Sequence, residues 1–534
     1  MRAERRKEIE KQMANEATGS KGKGNPLFIV IAVLYLLTAI AFLFYVFKLN
    51  VIPANFLVAG IAILAVITLF TVPVLFSKKG KRARKIVASV VAVLMITVFG
   101  LGTYYLSSTS NFLDLITKRG TVVTEDFYVL VRAEDKPQET QTAETADGEA
   151  TEEAQTEETS EESAEDSEEV KTDEVKEETV IAMLNGTTIG TFNSNDQMYS
   201  QAKIALQEKV SLEYAYDETV NSCLDKLLMG EHNAIFIPAA SYQALKSEET
   251  YNIKEDTFIL YTVKIEKETK ERNKSVDVTK ECFNVYISGA DEGGIRSDVN
   301  MIATVNPVKH EVLLTSVPRD FYITLPSKEA KDKLTHAGLY GIEELMGALE
   351  NEFGLDINYY VRVNYKALRG VVDAIGGIDV ESQYDFTTSG MGRLNGTHFT
   401  VGVNHLDGDQ ALAFCRERHS FVSGDMTRNE NQQAVLEAIL SKATSSSAIL
   451  TSYTSVLEAV SGNLETDMTT DEMSDIVKMQ LKNMPSWTIR KNAVKGATGS
   501  DYCYSLGANA SVVYSDPEEI TKAVEEIVKT QMME

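Results

Sequence analysis

The chain has 534 residues, with 52 Lys+Arg against 78 Asp+Glu and a formal net charge of −26. At about 150 residues per domain this is two to four units, and a 44% hydrophobic content excludes a chain that is disordered throughout. The acidic balance excludes a sequence-independent nucleic-acid binder, which needs many phosphate-neutralising cations.

Both averages hide an uneven spread. Residues 1–25 form a basic tail. Residues 26–47, 56–76 and 86–106 carry no charged side chain and run 22, 21 and 21 residues. At about 1.5 Å per residue each reaches roughly 30 Å, the thickness of the hydrocarbon core. They read as three transmembrane helices rather than buried core helices. The first is too long, and too closely followed, for a cleaved signal peptide. Lys and Arg set the orientation. The tail holds Arg2, Arg5, Arg6, Lys7, Lys11, Lys21 and Lys23. The loop between the second and third spans holds Lys78, Lys79, Lys81, Arg82, Arg84 and Lys85. The 48–55 loop holds only Lys48, and only Lys118 and Arg119 closely follow the third span. The expected topology is multi-pass in the plasma membrane, with a cytoplasmic N-terminus and residues 107–534 outside. There, the energy for a reaction has to come with the substrate.

Residues 133–179 hold 20 Asp/Glu against three Lys, so −17 of the net charge sits in this one segment. It has no aromatic residue and too little apolar surface to offset its ordering entropy. It reads as a disordered, solvated loop; a calcium- or wall-interacting tail is the alternative. Around it, residues 121–131 and 179–184 read as strands, 197–209 and 218–228 as helices, and 211–216 and 234–237 as extended. Together they predict a small α/β accessory domain over 107–270 with a binding or packing role. Cys223, Cys282, Cys415 and Cys503 form no close pair. Disulfides are permitted outside the membrane, and free buried thiols fit equally well.

From 280 onward the pattern carries chemistry. Residues 282–288 and 299–305 read as strands, and 311–317 returns antiparallel to the second of them. Pro318 ends that return and keeps residue 317 extended. Asp291 and Asp298 flank the intervening loop. Two converging carboxylates suit a hard cation such as Mg²⁺; a solvated loop is the simpler reading of the pair alone. His336 precedes a helix over 342–353 and reads as structural. Residues 357–363 form a strand and 366–375 a helix closed by Gly376-Gly377. Arg416-Glu417-Arg418 follows a helix over 409–414; an extended chain there would aim 416 and 418 from one face. A helix opens near Gly424, with Thr427 and Glu430 at capping-box spacing and Arg428 and Gln432 sharing a face. Arg296, Arg319, Arg416, Arg418 and Arg428 thus lie in loops or at element ends of an acidic chain. Singly, each could pair with a surface carboxylate. Jointly, their forks match the oxygens of a pyrophosphate.

The strings YISGAD, RSDVNMIATVNP, SVPRDFYITLP, the run from Asp332 to Tyr365, GGIDV, ALAFCRERHS and GDMTRNENQQ resemble the LytR–CpsA–Psr (LCP) family over about residues 280–445, with an extension to 534. Three spans and an accessory domain resemble its capsule-type, CpsA-like branch. The resemblance implies an α/β fold: a mixed β-sheet covered by helices on both faces, with an apolar tunnel for a lipid tail, over 280–534. It implies Mg²⁺, or Mn²⁺ in its place, on Asp291 and Asp298. It implies pyrophosphate held by Arg296, Arg319, Arg416, Arg418, Arg428 and Gln432, with Arg319, Asp298, Arg296 and Arg418 catalytic. Asn431 departs from the pattern, where many members have arginine, and the Asp291–Asp298 loop is short.

The implied function is an extracytoplasmic phosphotransferase that moves an anionic wall glycopolymer, capsular or teichoic-acid-like, from a polyprenyl-pyrophosphate carrier onto peptidoglycan. Breaking a phosphoanhydride needs charge neutralisation and alignment more than covalent help. The alternatives are a non-catalytic membrane regulator of polymer assembly, in contact with capsule-assembly proteins, and a pyrophosphatase acting on the lipid-linked donor. A transcription factor does not fit, since the cytoplasmic part holds no recognition helix.

Overall fold

The computed structural model describes residues 26–77, 81–117, 122–137, 175–194, 196–246, 251–268, 274–290, 296–389, 394–422, 424–445 and 453–532. The basic tail, Lys78, Lys79, Lys118, Arg119, Asp291 and residues 138–174 of the acidic segment lie outside them.

Helices α1 Pro26–Leu49, α2 Ala54–Phe76 and α3 Arg82–Ile116 are long and apolar enough to cross a membrane. They are apolar all round, as helices surrounded by lipid must be. α1 and α3 pack closely: Phe42 stacks on Phe99 at 5.3 Å, and a Cβ at Gly102 would strike Phe42. At the far end of α1, Lys48 Nζ donates to Ser110 Oγ at 2.6 Å.

The next unit is a five-stranded sheet with neighbouring helices. Its strands are β1 Val122–Arg132, β2 Thr188–Phe192, β3 Glu213–Asp217, β4 Ile235–Pro238 and β5 Thr257–Glu268, in the order β3-β2-β4-β1-β5. Its helices are α4 Glu177–Leu184, α5 Gln197–Lys209, α6 Val220–Leu228 and α7 Ala239–Lys246. β2 is parallel to β3 and β4, while β1 is antiparallel to β4 and β5. Phe127, Tyr199 and Phe236 fill the core. One sequence reading is corrected here: residues 179–184 are helical, not a strand. Val180 and Leu184, four apart, are buried together, and Glu177 and Glu178 favour the helix N-terminus.

The larger unit is built on a six-stranded mixed sheet. Its strands are β6 Phe283–Ala290, β7 Ser297–Asn306, β8 Glu311–Ser316, β11 Tyr359–Val363, β16 Leu464–Thr466 and β17 Thr488–Ala493, in the order β16-β11-β6-β7-β8-β17. β6, β7 and β8 form an antiparallel meander, while β11 runs parallel to β6 and β17 parallel to β8. In chain order its helices are α8 Ile342–Phe353, α9 Tyr365–Ala374, α10 Gly408–Arg416, α11 Gly424–Ser445, α12 Tyr453–Val460, α13 Thr470–Asn483 and α14 Pro517–Gln531. The strand period of two splits the core. Tyr286 and Ile302 point to the face that holds Leu345, Leu349 and Ala523 of α8 and α14. Val285, Ala303 and Leu314 point to the other, where Leu436, Met473 and Ile476 of α11 and α13 pack. Helices therefore cover both faces.

Two short antiparallel pairs, β12 Ile378–Ser382 with β15 Gly402–Leu406 and β13 Phe386–Thr387 with β14 His398–Phe399, lie between β11 and β16 in the chain. A second sheet ties in the chain end, with β9 Phe321–Leu325, β10 Ala330–Lys333, β18 Thr498–Cys503 and β19 Ala508–Tyr514 in the order β10-β9-β19-β18, β19 running parallel to β9. All four cysteines are free thiols. Burial pushes Cys415 up to about 12, and pushes Cys503 up to about 12 with help from Asp332.

Candidate active site

The register puts several chain breaks at one end of the six-stranded sheet. Ala290 of β6 faces Ser297 of β7, Ser316 of β8 faces Met301, and Val363 of β11 faces Gly289. β6, β8 and β11 thus present their carboxyl ends together, where open α/β sheets bind ligands. Asp298 is the second residue of β7, Arg319 follows Pro318 beyond β8, and Tyr365 opens α9 just beyond β11.

These residues meet. Arg319 Nη1 donates to Asp298 Oδ1 at 2.9 Å, and Tyr365 Oη donates to Asp298 Oδ2 at 3.2 Å. The Arg416 guanidinium sits over the Tyr365 ring at 4.8 Å. Arg319 also lies 3.7 Å from Asp320. Burial works against the Arg319 charge, but Asp320, Asp298 and Asp425 outweigh it and raise its pKa. Burial, then the Asp298 charge, pushes the Tyr365 phenol well above its ordinary value.

Arg416 and Arg418 come from a turn that Glu417 holds. Arg416 ends α10 and Glu417 is its extended C-cap, so the chain does not run extended through 416–418. The fully buried Glu417 carboxylate accepts from Ser389 N at 2.8 Å and Ser420 N at 2.9 Å. Arg418 is exposed beside it.

Arg428 comes from the start of α11. That helix begins at Gly424, three residues before Thr427, so Thr427 and Glu430 are inside it and make no capping box. Gly424 keeps this start close to the 418 turn, since a Cβ would lie a tight 3.2 Å from Arg418 O. The Arg428 side chain is buried, and Nη2 lies 3.2 Å from Asp425 Oδ1 outside hydrogen-bond geometry. Among the described residues, Nε and Nη2 have no hydrogen-bond partner. Burial lowers its pKa; Asp425 opposes this, while Arg319 and Arg418 push the same way as burial.

The structure therefore draws Asp298, Arg319, Arg416, Arg418 and Arg428 into one electrostatic neighbourhood. Arg296 stands half-buried two residues before Asp298. Gln432 is buried one turn past Arg428, its Nε2 3.5 Å from Cys415 O, and Asn431 donates to Phe414 O at 3.3 Å. Both face the last turn of α10, from which Arg416 projects. His336 is buried against Asp332 at 2.6 Å, a structural contact. Sequence reasoning missed Tyr365 and Asp425. Tyr365 follows the helix-capping Asn364 at a strand end, and that position was its one available signal.

Asp298 offers hard carboxylate oxygens, and Asp291 lies outside the described residues. Among the described residues no group of three or more His, Cys, Asp or Glu could hold a metal by itself. A carboxylate beside arginines suits a Mg²⁺ that completes its shell with phosphate oxygens and waters.

The sequence model of the LytR–CpsA–Psr family matches residues 251–529. The polyisoprenyl-teichoic acid–peptidoglycan teichoic acid transferase TagU of Bacillus anthracis is 36% identical over 248 residues, covering 45% of this chain and 80% of that one. Its namesake in Enterococcus faecalis is 38% identical over 219 residues, 39% of this chain and 70% of that one. The crystal structure of TagU from Bacillus subtilis aligns at 28% identity with a TM-score of 0.38, covering 48% of this chain and 99% of that one. With more than half of its length matched by the family's model, this chain belongs to the LytR–CpsA–Psr family.

Proposed function

We propose that the protein is an extracytoplasmic, Mg²⁺-dependent phosphotransferase that moves an anionic wall glycopolymer from a polyprenyl-pyrophosphate carrier to peptidoglycan. The observation that carries this is Arg428: a buried guanidinium whose Nε and Nη2 have no hydrogen-bond partner among the described residues, set among other arginines at the carboxyl ends of β6, β8 and β11. Such a group calls for an anion, and a pyrophosphate supplies enough oxygens for several forks. The names of the relatives, polyisoprenyl-teichoic acid–peptidoglycan transferases, supply the substrate class.

An acceptor hydroxyl of peptidoglycan attacks the glycan-bearing phosphorus. The anhydride P–O bond breaks, polyprenyl phosphate departs, and the hydroxyl proton passes to a site carboxylate. Arg319, Arg418 and Arg428 would hold the pyrophosphate in line and offset the charge that grows on the leaving phosphate. Arg296 and Gln432 would contribute from the rim and from α11. Mg²⁺, or Mn²⁺ in its place, bound by Asp298 and Asp291, would supply further charge neutralisation. The polymer is capsular or teichoic-acid-like.

The site lies near the membrane helices, as a lipid-borne donor requires. α3 packs against α12 and β16. α12 packs against α9, whose first residue is Tyr365. The Lys and Arg asymmetry supports a cytoplasmic N-terminus with this domain outside.

The test incubates purified protein with Mg²⁺, a polyprenyl-pyrophosphate glycan and peptidoglycan oligomers. A phosphodiester-linked product is expected, and Arg319→Ala or Asp298→Ala should abolish it with membrane expression unchanged. Transfer retained by both variants would sink the proposal.

A further inference from the structure

The membrane bundle holds an opening that anchoring does not explain. A cavity of about 220 Å³ lies between the three helices. Phe42 and Val46 of α1, Phe56 and Gly60 of α2, and Met95 and Phe99 of α3 line it. α1 and α3 are closely packed, and α2 meets α1 where Tyr35 Oη and Thr68 Oγ1 lie 2.7 Å apart; beyond that contact the opening is a seam between α1 and α2 floored by α3. Lipid chains provide no hydrophobic drive for helices to close such a seam.

Its position selects the occupant. The seam lies toward the end of α1 at which the folded domains dock, where Ser474 Oγ of α13 donates to Leu49 O at 2.9 Å. Two residues past Val46, Lys48 ties this end of α1 to Ser110 of α3 at 2.6 Å. An apolar slot at the end of the bundle that meets the folded domain suits the hydrocarbon chain of a lipid whose head group that domain acts on. The route from the bundle to the arginines is short and stiff. α3 touches α12, and a Cβ at Gly370 of α9 would lie 2.6 Å from Ala459 Cβ of α12. Asn364 Nδ2 donates to Asn463 Oδ1 at 2.8 Å, seating Tyr365 beside Asp298.

We propose that this seam binds the membrane-embedded part of the isoprenoid chain of the carrier, holding the donor beside the domain that acts on its pyrophosphate. This rests on the transfer reading above. The bundle then acts as a lipid-binding element as well as an anchor.

Gly60 provides the test. A Cβ there meets no protein atom within 4 Å and Gly60 lines the seam, so a leucine at this position should narrow the opening. Gly100 has equally open surroundings but does not line the seam, so Gly100→Leu is the control. Full-length wild type, Gly60→Leu and Gly100→Leu are reconstituted in bilayers and given donors with a long chain or a chain too short to reach the bilayer interior. A long-chain donor bearing a terminal diazirine labels the protein in parallel, against a phosphatidylglycerol carrying the same group.

Gly60→Leu should raise KM for the long-chain donor about tenfold, the effect of roughly two CH₂ groups leaving an apolar site. It should leave the short-chain donor unchanged, and Gly100→Leu should change neither. Isoprenoid label should appear on α1 and α2 in wild type and fall in Gly60→Leu. Equal labelling by phosphatidylglycerol, or a Gly60→Leu variant that matches Gly100→Leu on both readouts, overturns the proposal. If wild type transfers from neither donor, the transfer reading fails, and the labelling still decides what fills the seam.

Discussion

Arg428 holds a buried charge among like charges, which weakens the fold unless an anion joins it. Its Nε and Nη2 have no hydrogen-bond partner among the described residues, and Asp425 is a partial counter-ion at 3.2 Å. Desolvating a charge without full compensation is unfavourable, and replacing it by an apolar residue of similar size is often neutral or stabilising. Arg428→Met should therefore keep or raise the thermal midpoint of the purified protein. In the proposed reaction the same change removes a donor to the departing phosphate, so transfer should fall by about a hundredfold or more. Thermal unfolding in detergent and single-turnover transfer check the two halves. A midpoint that drops together with activity would make Arg428 a structural residue. Arg319 differs: Asp298, Asp320 and Asp425 already stabilise its charge, so its loss should lower the thermal midpoint somewhat while the protein still reaches the membrane.

Among the elements, α9 is the one whose seating matters most to the site. Asn364 caps it by accepting from Ala367 N at 3.0 Å, and donates to Asn463 at 2.8 Å. Losing both bonds in Asn364→Ala should lower stability by about 2 kcal/mol, roughly one from the cap and one from the side-chain bond. Transfer should fall with it, because Tyr365 is the first residue of the helix. Asn364→Asp keeps the capping acceptor but cannot donate to Asn463, so it should recover about half of the loss in denaturant melts. The elements around this helix show what a sequence makes readable. The β6–β8 meander was legible because apolar residues serve both faces and 306–310 turns the chain, with His310 at φ 53°. Helix 342–353 was legible at both ends, because Gly341 and Gly354 punctuate it with positive φ. The run 179–184 was not, since its β-branched Thr179, Val180 and Ile181 mimic a strand and only the packing of Val180 and Leu184 decides otherwise. The bond from Tyr365 to Asp298 could not be read at all. It spans 67 positions and exists because β11 runs parallel to β6. The arginines stood out because their residue type announces an anion; the burial of Arg428 was not visible.

At the scale of the whole molecule, the accessory sheet and the larger domain are joined through Lys328. Its side chain is 2% exposed, and Nζ reaches Glu125 of β1 at 3.1 Å and Asp196, the cap of α5, at 2.7 Å. It also lies 4.6 Å from the centre of the Tyr340 ring. Glu344 of α8 accepts from the neighbouring Ser327 N at 2.9 Å. Burial raises the pKa of both Glu125 and Glu344, against the opposing pull of Lys328. Lys328→Met removes the cation that bonds this group and leaves buried carboxylates facing each other across the junction. The variant should lose about 3–5 kcal/mol at pH 7, as expected when one partner of a buried ion pair is deleted. The sign with pH comes from the raised carboxylates. A carboxylate whose folded pKa exceeds its unfolded value is penalised while ionised, and the penalty fades as pH falls through the folded pKa. Without Lys328 those values rise further, so the stability gap between variant and wild type should narrow from pH 7 toward pH 5. A gap that stayed constant or widened would mean the carboxylates are not what the lysine compensates. The same variant separates the two functional readings. If the accessory unit regulates polymer assembly through this junction, loosening it should change the length or amount of attached polymer while leaving attachment itself intact. If it serves only as a spacer, Lys328→Met should lower the melting temperature and leave the product distribution unchanged.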